Sequence, residues 1–314
     1  MSALCGAVMT VTQPEAALPL CELRLDVTGQ AASDSIADML ESGAPCMVAR
    51  FGSVELEAVM RWRYMRTTSP AQRLANYLVQ SRGIGWELSP SHPMRVNAGF
   101  FPIEAPALER FASMMADAMN QVDLLGSWVP GESQFSGELA RARICRLADL
   151  EPYYHARPWS RVLAGRRVLV VHPFEDTIRK QFDAHRGSLF ADPAVLPPFE
   201  LLTLRAVQSS ARNPTRFASW FDALDWMTER AAALQFDTAI VGCGAYGFPL
   251  AARIKAMGRQ VIHLGGATQY LFGIRSRRGE QMPEIARFFN AHWVRPSGDE
   301  KPPGAELVEG GCYW

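Results

Sequence analysis

The chain of 314 residues lacks an excess of either charge: 32 Lys and Arg balance 32 Asp and Glu. A general nucleic-acid binder carries a basic surplus, so that class is excluded and any phosphate recognition must be local. A C-x-x-C pair is also missing. The six cysteines, Cys5, Cys21, Cys46, Cys145, Cys243 and Cys312, are scattered. They indicate neither a zinc site nor a disulfide framework, and free thiols in a reducing cytoplasm are expected. No run reaches the ~20 apolar residues of a membrane helix. The start has no basic stretch leading into a long apolar segment, so no secretory signal is expected. A cytoplasmic protein without a transmembrane segment follows, with peripheral attachment to a membrane left open. Internal repeats and low-complexity tracts are absent.

What is present is a large apolar fraction, 48%, enough to bury a sizeable core. Residues 1–30 mix Ala, Pro and Thr with little period and are expected to be poorly ordered. Beyond them, helical spacing marks 33–40, 53–65 and 105–119, with strands over 46–51 and 122–128. Ser53 is the expected N-cap of the second helix. A loop-rich stretch spans 83–102, and the Pro152 and Pro158 region is the best boundary between halves. From Arg167 strands and helices alternate: strands 168–171, 200–207, 238–241 and 260–264, helices 176–185, 215–234 and 248–257. This rhythm predicts a Rossmann-like α/β fold, a mostly parallel sheet with helices on both faces and a smaller N-terminal subregion. The expected division is 31–155, 156–290 and a tail, 291–314, packed back on the body by its aromatic residues.

The densest motif is Gly242-Cys-Gly244-Ala-Tyr246-Gly247, a G-x-G-x-x-G between strand and helix. Glycines let a phosphate approach the backbone, and free N–H groups at a helix start point at it. A dinucleotide site would need an acidic residue about 20 positions on, at the next strand end. His263 stands there instead, followed by Gly265 and Gly266. A dinucleotide-dependent oxidoreductase therefore stays an alternative only, and a turn that merely permits close packing is another. In open parallel sheets ligands bind beyond the carboxyl ends of the strands. Segments 50–55, 172–176, 242–247 and 263–266 fall there, so all four are expected to line one crevice.

The second motif is Arg50-Phe-Gly52-Ser53-Val-Glu55. Arg50 leaves a strand end with a fork suited to phosphate, and Glu55 falls in a first helical turn, where a carboxylate can bind a hard cation. Alternatively Glu55 favours the helix start and Arg50 is its partner. His172, with Glu175 and Asp176 behind it, offers a base for an acceptor hydroxyl, or simply ends a strand. Gly265, Gly266, Thr268 and Gln269 form a second small-residue turn. Trp86, His92 and Asn97 in the long loop have the chemistry of an acceptor site. Arg275, Arg277 and Arg278 form a basic cluster that would clamp a diphosphate or meet an anionic lipid carrier.

The segment 50–55 joined to 242–247 resembles the GT-D-type glycosyltransferases of bacterial surface-glycan and glycoprotein assembly, which carry an R-F-G-D-G-E segment and a distant glycine-rich turn. The resemblance extends over 45–275, and the stretches 263–269 and 308–314 are similar to relatives of unknown function found with polysaccharide genes. It implies hexosyl transfer from a nucleotide-sugar donor to a glycan, lipid-linked or protein acceptor, usually with Mn2+ or Mg2+. Arg50, Gly52 and Glu55 match the motif, and Glu55 would organise metal and diphosphate. Arg50, Gly52, Ser53, Gly242, Gly244, Tyr246, Gly247, His263, Gly265, Gly266 and Gln269 would form the donor site, with Glu55 and His172 as the catalytic pair. Ser53 stands where the family has Asp and Val54 where it has Gly, which reduces a metal-binding carboxylate pair to Ser53 and Glu55. A non-catalytic nucleotide- or glycan-binding partner in an assembly complex is the further alternative.

Overall fold

The structure, a computed structural model, describes residues 23–80, 83–89 and 91–314. The weakly patterned opening segment lies outside the described residues through position 22. The described chain runs α1 (Gln30–Glu41), β1 (Met47–Ala49), α2 (Ser53–Thr67), α3 (Pro70–Gln80), a one-turn α4 (Pro93–Val96), α5 (Ala105–Met119), β2 (Leu124–Ser127) and β3 (Arg143–Arg146). Then follow β4 (Arg167–His172), α6 (Glu175–His185), β5 (Glu200–Arg205), α7 (Trp220–Ala232), β6 (Thr238–Val241), α8 (Gly247–Ala256), β7 (Gln260–His263) and α9 (Ala267–Leu271).

The seven strands form one sheet, all parallel, in the order β3-β2-β1-β7-β6-β4-β5. The chain starts in the middle, builds outward through β2 to β3, crosses to β4 and β5, and returns through β6 to β7. The first and last strands thus lie side by side at the centre, with Val48 opposite Ile262.

Alternation along the strands sorts side chains between two cores. Met47, Leu125, Leu169, Ala239 and Val261 face α2, α5, α7 and α8, while Val48, Leu124, Val170, Ile240 and Ile262 face α1, α6, α9 and the C-terminal segment. Every residue of β1, β2, β6 and β7 is buried, as strands covered on both faces require. The fold is the Rossmann-like α/β arrangement that the alternating pattern predicts.

Some boundaries differ for local reasons. α7 begins at Trp220, later than 215, because Ser219 and Asp222 form a capping box: Ser219 Oγ accepts from the Asp222 N–H at 3.2 Å and the Ser219 N–H donates to Asp222 Oδ2 at 2.9 Å. Of its apolar stripe, Trp220, Phe221, Leu224 and Met227 are buried as expected, and Phe217 is half-buried ahead of the helix. α2 takes Gly52 as its N-cap, which makes Ser53 the first helical residue, with its side chain exposed and no side-chain cap.

Candidate functional site

The loops that follow the strands enclose a cavity of about 560 Å³ at the carboxyl edge of the sheet. The segment after β1 contributes Arg50, Gly52, Ser53 and Glu55, and the end of β4 contributes His172. Gly242, Gly244 and Tyr246 come from the loop after β6, and His263, Gly265, Gly266 and Gln269 from the end of β7 and the turn behind it. Gly247 is the one expected donor-site residue outside the lining. The distant segments 50–55 and 242–246 therefore share one cavity.

Arg50 is set by its neighbours. Its guanidinium lies over the Trp128 ring, 4.7 Å from the centroid, and that ring is fixed by Trp128 Nε1 donating to the Phe51 carbonyl at 2.8 Å. On its other side Arg50 Nη1 packs against Gly265, where a Cβ would stand 3.0 Å away. Arg50 Nε is buried with no hydrogen-bond partner. Burial opposes its charge, while Tyr313, Glu55 and Glu151 favour it. Guanidinium remains protonated in proteins, so Arg50 is a fixed cation with a donor to spare.

The Glu55 carboxylate folds back over Gly52, where any Cβ would overlap it. Burial raises its pKa, and its own backbone N–H and Arg50 act the other way. For the family motif's metal role the segment 50–55 supplies one carboxylate, Glu55. A Mg2+-type cation takes about six oxygens, which one or two protein carboxylates, water and substrate phosphates supply together. Ser53 is exposed, Glu55 is turned onto its own helix start beside a guanidinium, and the described residues hold no group of three or more His, Cys, Asp or Glu that could ligate together.

The glycine motif divides into two kinds of position. A Cβ at Gly242 would stand 2.6 Å from the Gly265 carbonyl oxygen, and one at Gly247 would overlap the His263 imidazole. Both glycines serve the packing of the β6 loop against the β7 loop. Gly244 differs: its φ is +57° and nothing lies within 4 Å of where a Cβ would be. Only this exposed turn presents open backbone to the cavity. Tyr246 reaches the lining but is held by the core, stacked on Trp220 at 4.8 Å with its hydroxyl 2.9 Å from Ser209 Oγ.

The two histidines are buried and neutral. His172 Nδ1 accepts from the Phe174 N–H at 3.0 Å, and burial pushes its pKa down to about 3. Its neutral ring therefore keeps its proton on Nε2, where it can donate and not accept. The base role expected of His172 does not fit. Its neighbours Glu175 and Asp176 are engaged by Arg205 and do not line the cavity. Burial and the Arg50 charge bring His263 to about 3 as well, and its Nδ1 has no partner. Gln269 is buried, with its amide 3.5 Å from the Ile274 carbonyl.

The lining also holds residues beyond the expected donor site. Glu151 stands in the stretch read only as a boundary, yet its carboxyl accepts from the Tyr153 hydroxyl and lines the cavity near Arg50. Burial pushes it up to about 7, the value of a group that exchanges protons at neutral pH. Arg278 alone of its basic cluster lines the cavity, paired with Glu309 and 5.0 Å over the Tyr313 ring. Burial opposes its charge, but Tyr313, Cys312 and Glu309 outweigh that and raise its pKa. Tyr313 and Trp314 close the same wall. The signal for these residues was the aromatic C-terminal segment and the arginine cluster; for Glu151 there was none.

Of the loop read as an acceptor site, Asn97 faces the main cavity. Trp86 and His92 line a second one, about 700 Å³, along α2 with Glu57 and Arg61, and Val54 belongs to both.

Comparison with known protein families, with curated proteins and with solved structures returns no match. Among the described residues no helix is long and apolar enough to cross a membrane.

Proposed function

We propose that the protein is a glycosyltransferase that takes a nucleotide-sugar donor into the cavity at the carboxyl edge of the sheet. The observation that carries this reading is the meeting of Arg50, Arg278 and the open Gly244 turn around one cavity of small-molecule size. Two cations and an unobstructed backbone turn form a seat for a diphosphate.

In the reaction the bond from the anomeric carbon to the diphosphate oxygen breaks, and its electron pair leaves on the diphosphate. The arginines stabilise that developing charge. The acceptor hydroxyl oxygen bonds the anomeric carbon, and its proton passes to Glu151, whose pKa near 7 suits a general base. Glu55, held beside Arg50, orients the guanidinium and a donor hydroxyl. The second cavity, reached past Val54, is the place for the acceptor glycan, with the Trp86 and Tyr64 rings as sugar platforms.

A panel of nucleoside diphosphates and nucleotide sugars, read by melting temperature, tests the donor assignment, because a ligand bound only by the folded state raises it. Release of diphosphate in the presence of glycan acceptors tests the chemistry. No shift with any member of the panel would remove the donor reading. A shift without turnover would favour the alternative of a non-catalytic binding partner.

A further inference from the structure

Helix α3 is folded inside out. Its polar side chains are the ones turned to the body: Asn76 Nδ2 donates to Tyr64 Oη at 3.0 Å, and Arg73 Nη1 donates to the Ile84 carbonyl at 3.2 Å. Leu74, Tyr77 and Leu78, spaced i, i+3 and i+4 on the other side, are 50%, 48% and 74% exposed, with Val79 beside them at 81%. The loop that follows adds Ile84 and Leu88. Among the described residues seven large hydrophobic side chains are exposed, and six of them lie between Leu74 and Leu88. Such clustering marks an interaction surface, since scattered exposed apolar residues are ordinary and a contiguous patch is not.

Charge identifies the partner. From Ala58 to Leu88 the sequence has five arginines, Arg61, Arg63, Arg66, Arg73 and Arg82, against one acidic residue, Glu87, in a chain whose net charge is zero. Arg63 pairs with Glu138; Arg61, Arg66 and Arg73 have no carboxylate partner among the described residues. A second copy docked face to face on this patch would set arginines against their own counterparts. An anionic bilayer supplies both complements, headgroup phosphates for the arginines and the acyl boundary for the leucines.

We propose that α3 seats the protein on an anionic phospholipid surface, with Leu74, Tyr77 and Leu78 in the interfacial layer. The loop that carries Ile84 and Leu88 also carries Gly83, Trp86 and Glu87 of the second cavity, so docking holds that cavity at the lipid surface. Docking of this kind does not depend on the transfer chemistry.

Flotation of the full chain with vesicles tests it. The chain floats with phosphatidylcholine vesicles containing about three parts in ten phosphatidylglycerol and much less with phosphatidylcholine alone. Raising salt from about 0.1 M to about 0.5 M weakens the binding by screening. The double variant Leu74→Glu/Leu78→Glu lowers partitioning about tenfold or more, and Arg66→Gln, at an exposed arginine, lowers it about fivefold. Circular dichroism and melting of both variants check that they fold. The proposal is overturned if the wild type stays with the soluble fraction on anionic vesicles, or if both variants float as it does. It is equally overturned if the wild type does not float and sediments as a dimer that the leucine variant makes monomeric, since the patch then belongs to a second copy.

Discussion

Two turns of the same design face the cavity, each running strand, glycine, helix, and they differ in what their glycines are for. In the turn after β1, Gly52 clears space for a carboxylate, and the charged side chains Arg50 and Glu55 define the wall. In the turn after β6, Gly242 and Gly247 clear space for protein, the Gly265 carbonyl and the His263 ring, and only Gly244 is open. The more conspicuous motif is therefore mostly packing, and the plainer one carries the charge. A glycine fingerprint records close approach without saying what approaches.

Arg50→Ala breaks the comparison hardest. Loss of a charge-assisted contact worth about 1.5–3 kcal/mol should weaken binding of a nucleoside diphosphate by roughly 10- to 100-fold. Titration calorimetry reads it, and unchanged affinity would take Arg50 out of the ligand site. Gly247→Ala comes next and acts on folding: a methyl overlapping His263 should destabilise by about 1–3 kcal/mol, the usual range for overpacking. Gly244→Ala should cost about 1 kcal/mol, from positive φ alone. Urea unfolding of the two variants separates packing from open turn, and equal losses would erase the distinction.

Glu151 gives a pH test. Its folded pKa, near 7, lies above the ordinary carboxyl value, so the folded state holds a proton that the unfolded state has lost. The stability from this protonation is complete below the ordinary value and disappears as pH rises through about 7. Glu151→Gln should match the wild type in acid and exceed it at pH 8 by about 1–2 kcal/mol, after discounting for partial exposure. Parallel stability curves would return Glu151 to an ordinary surface carboxylate. The smallest expected effect is that of EDTA: a nucleotide-induced melting shift that rests on arginine should not change. A shift that appears only with Mn2+ would restore Glu55 to a metal site.

The sequence was most legible where local pattern and burial agree. α5 spans 105–119 as read, because Leu108, Phe111, Ala112, Met115 and Met119 form a buried stripe. α3 could not be read from burial logic, since its apolar residues face outward. β3 was hidden because only Ile144 and Cys145 are buried between Arg143 and Arg146. At the site, the residues at strand ends could be listed from the fold class, since the chain must leave each strand at the same edge of a parallel sheet. Arg278 could be named only as part of a basic cluster, and Glu151 not at all, because only tertiary packing brings them to Arg50. Nor could spacing reveal that His172 spends its lone pair on the Phe174 N–H.

The central seam of the sheet joins positions 48 and 262. During synthesis β1 must wait roughly 10–40 s for its partner, at ordinary elongation rates. Until then the short edges of β1 and of β6, which belong to two separate part-sheets, are bare, and early termination anywhere before β7 leaves them so. Truncated products of this gene should accordingly be chaperone clients or inclusion bodies, whatever chemistry the finished protein performs.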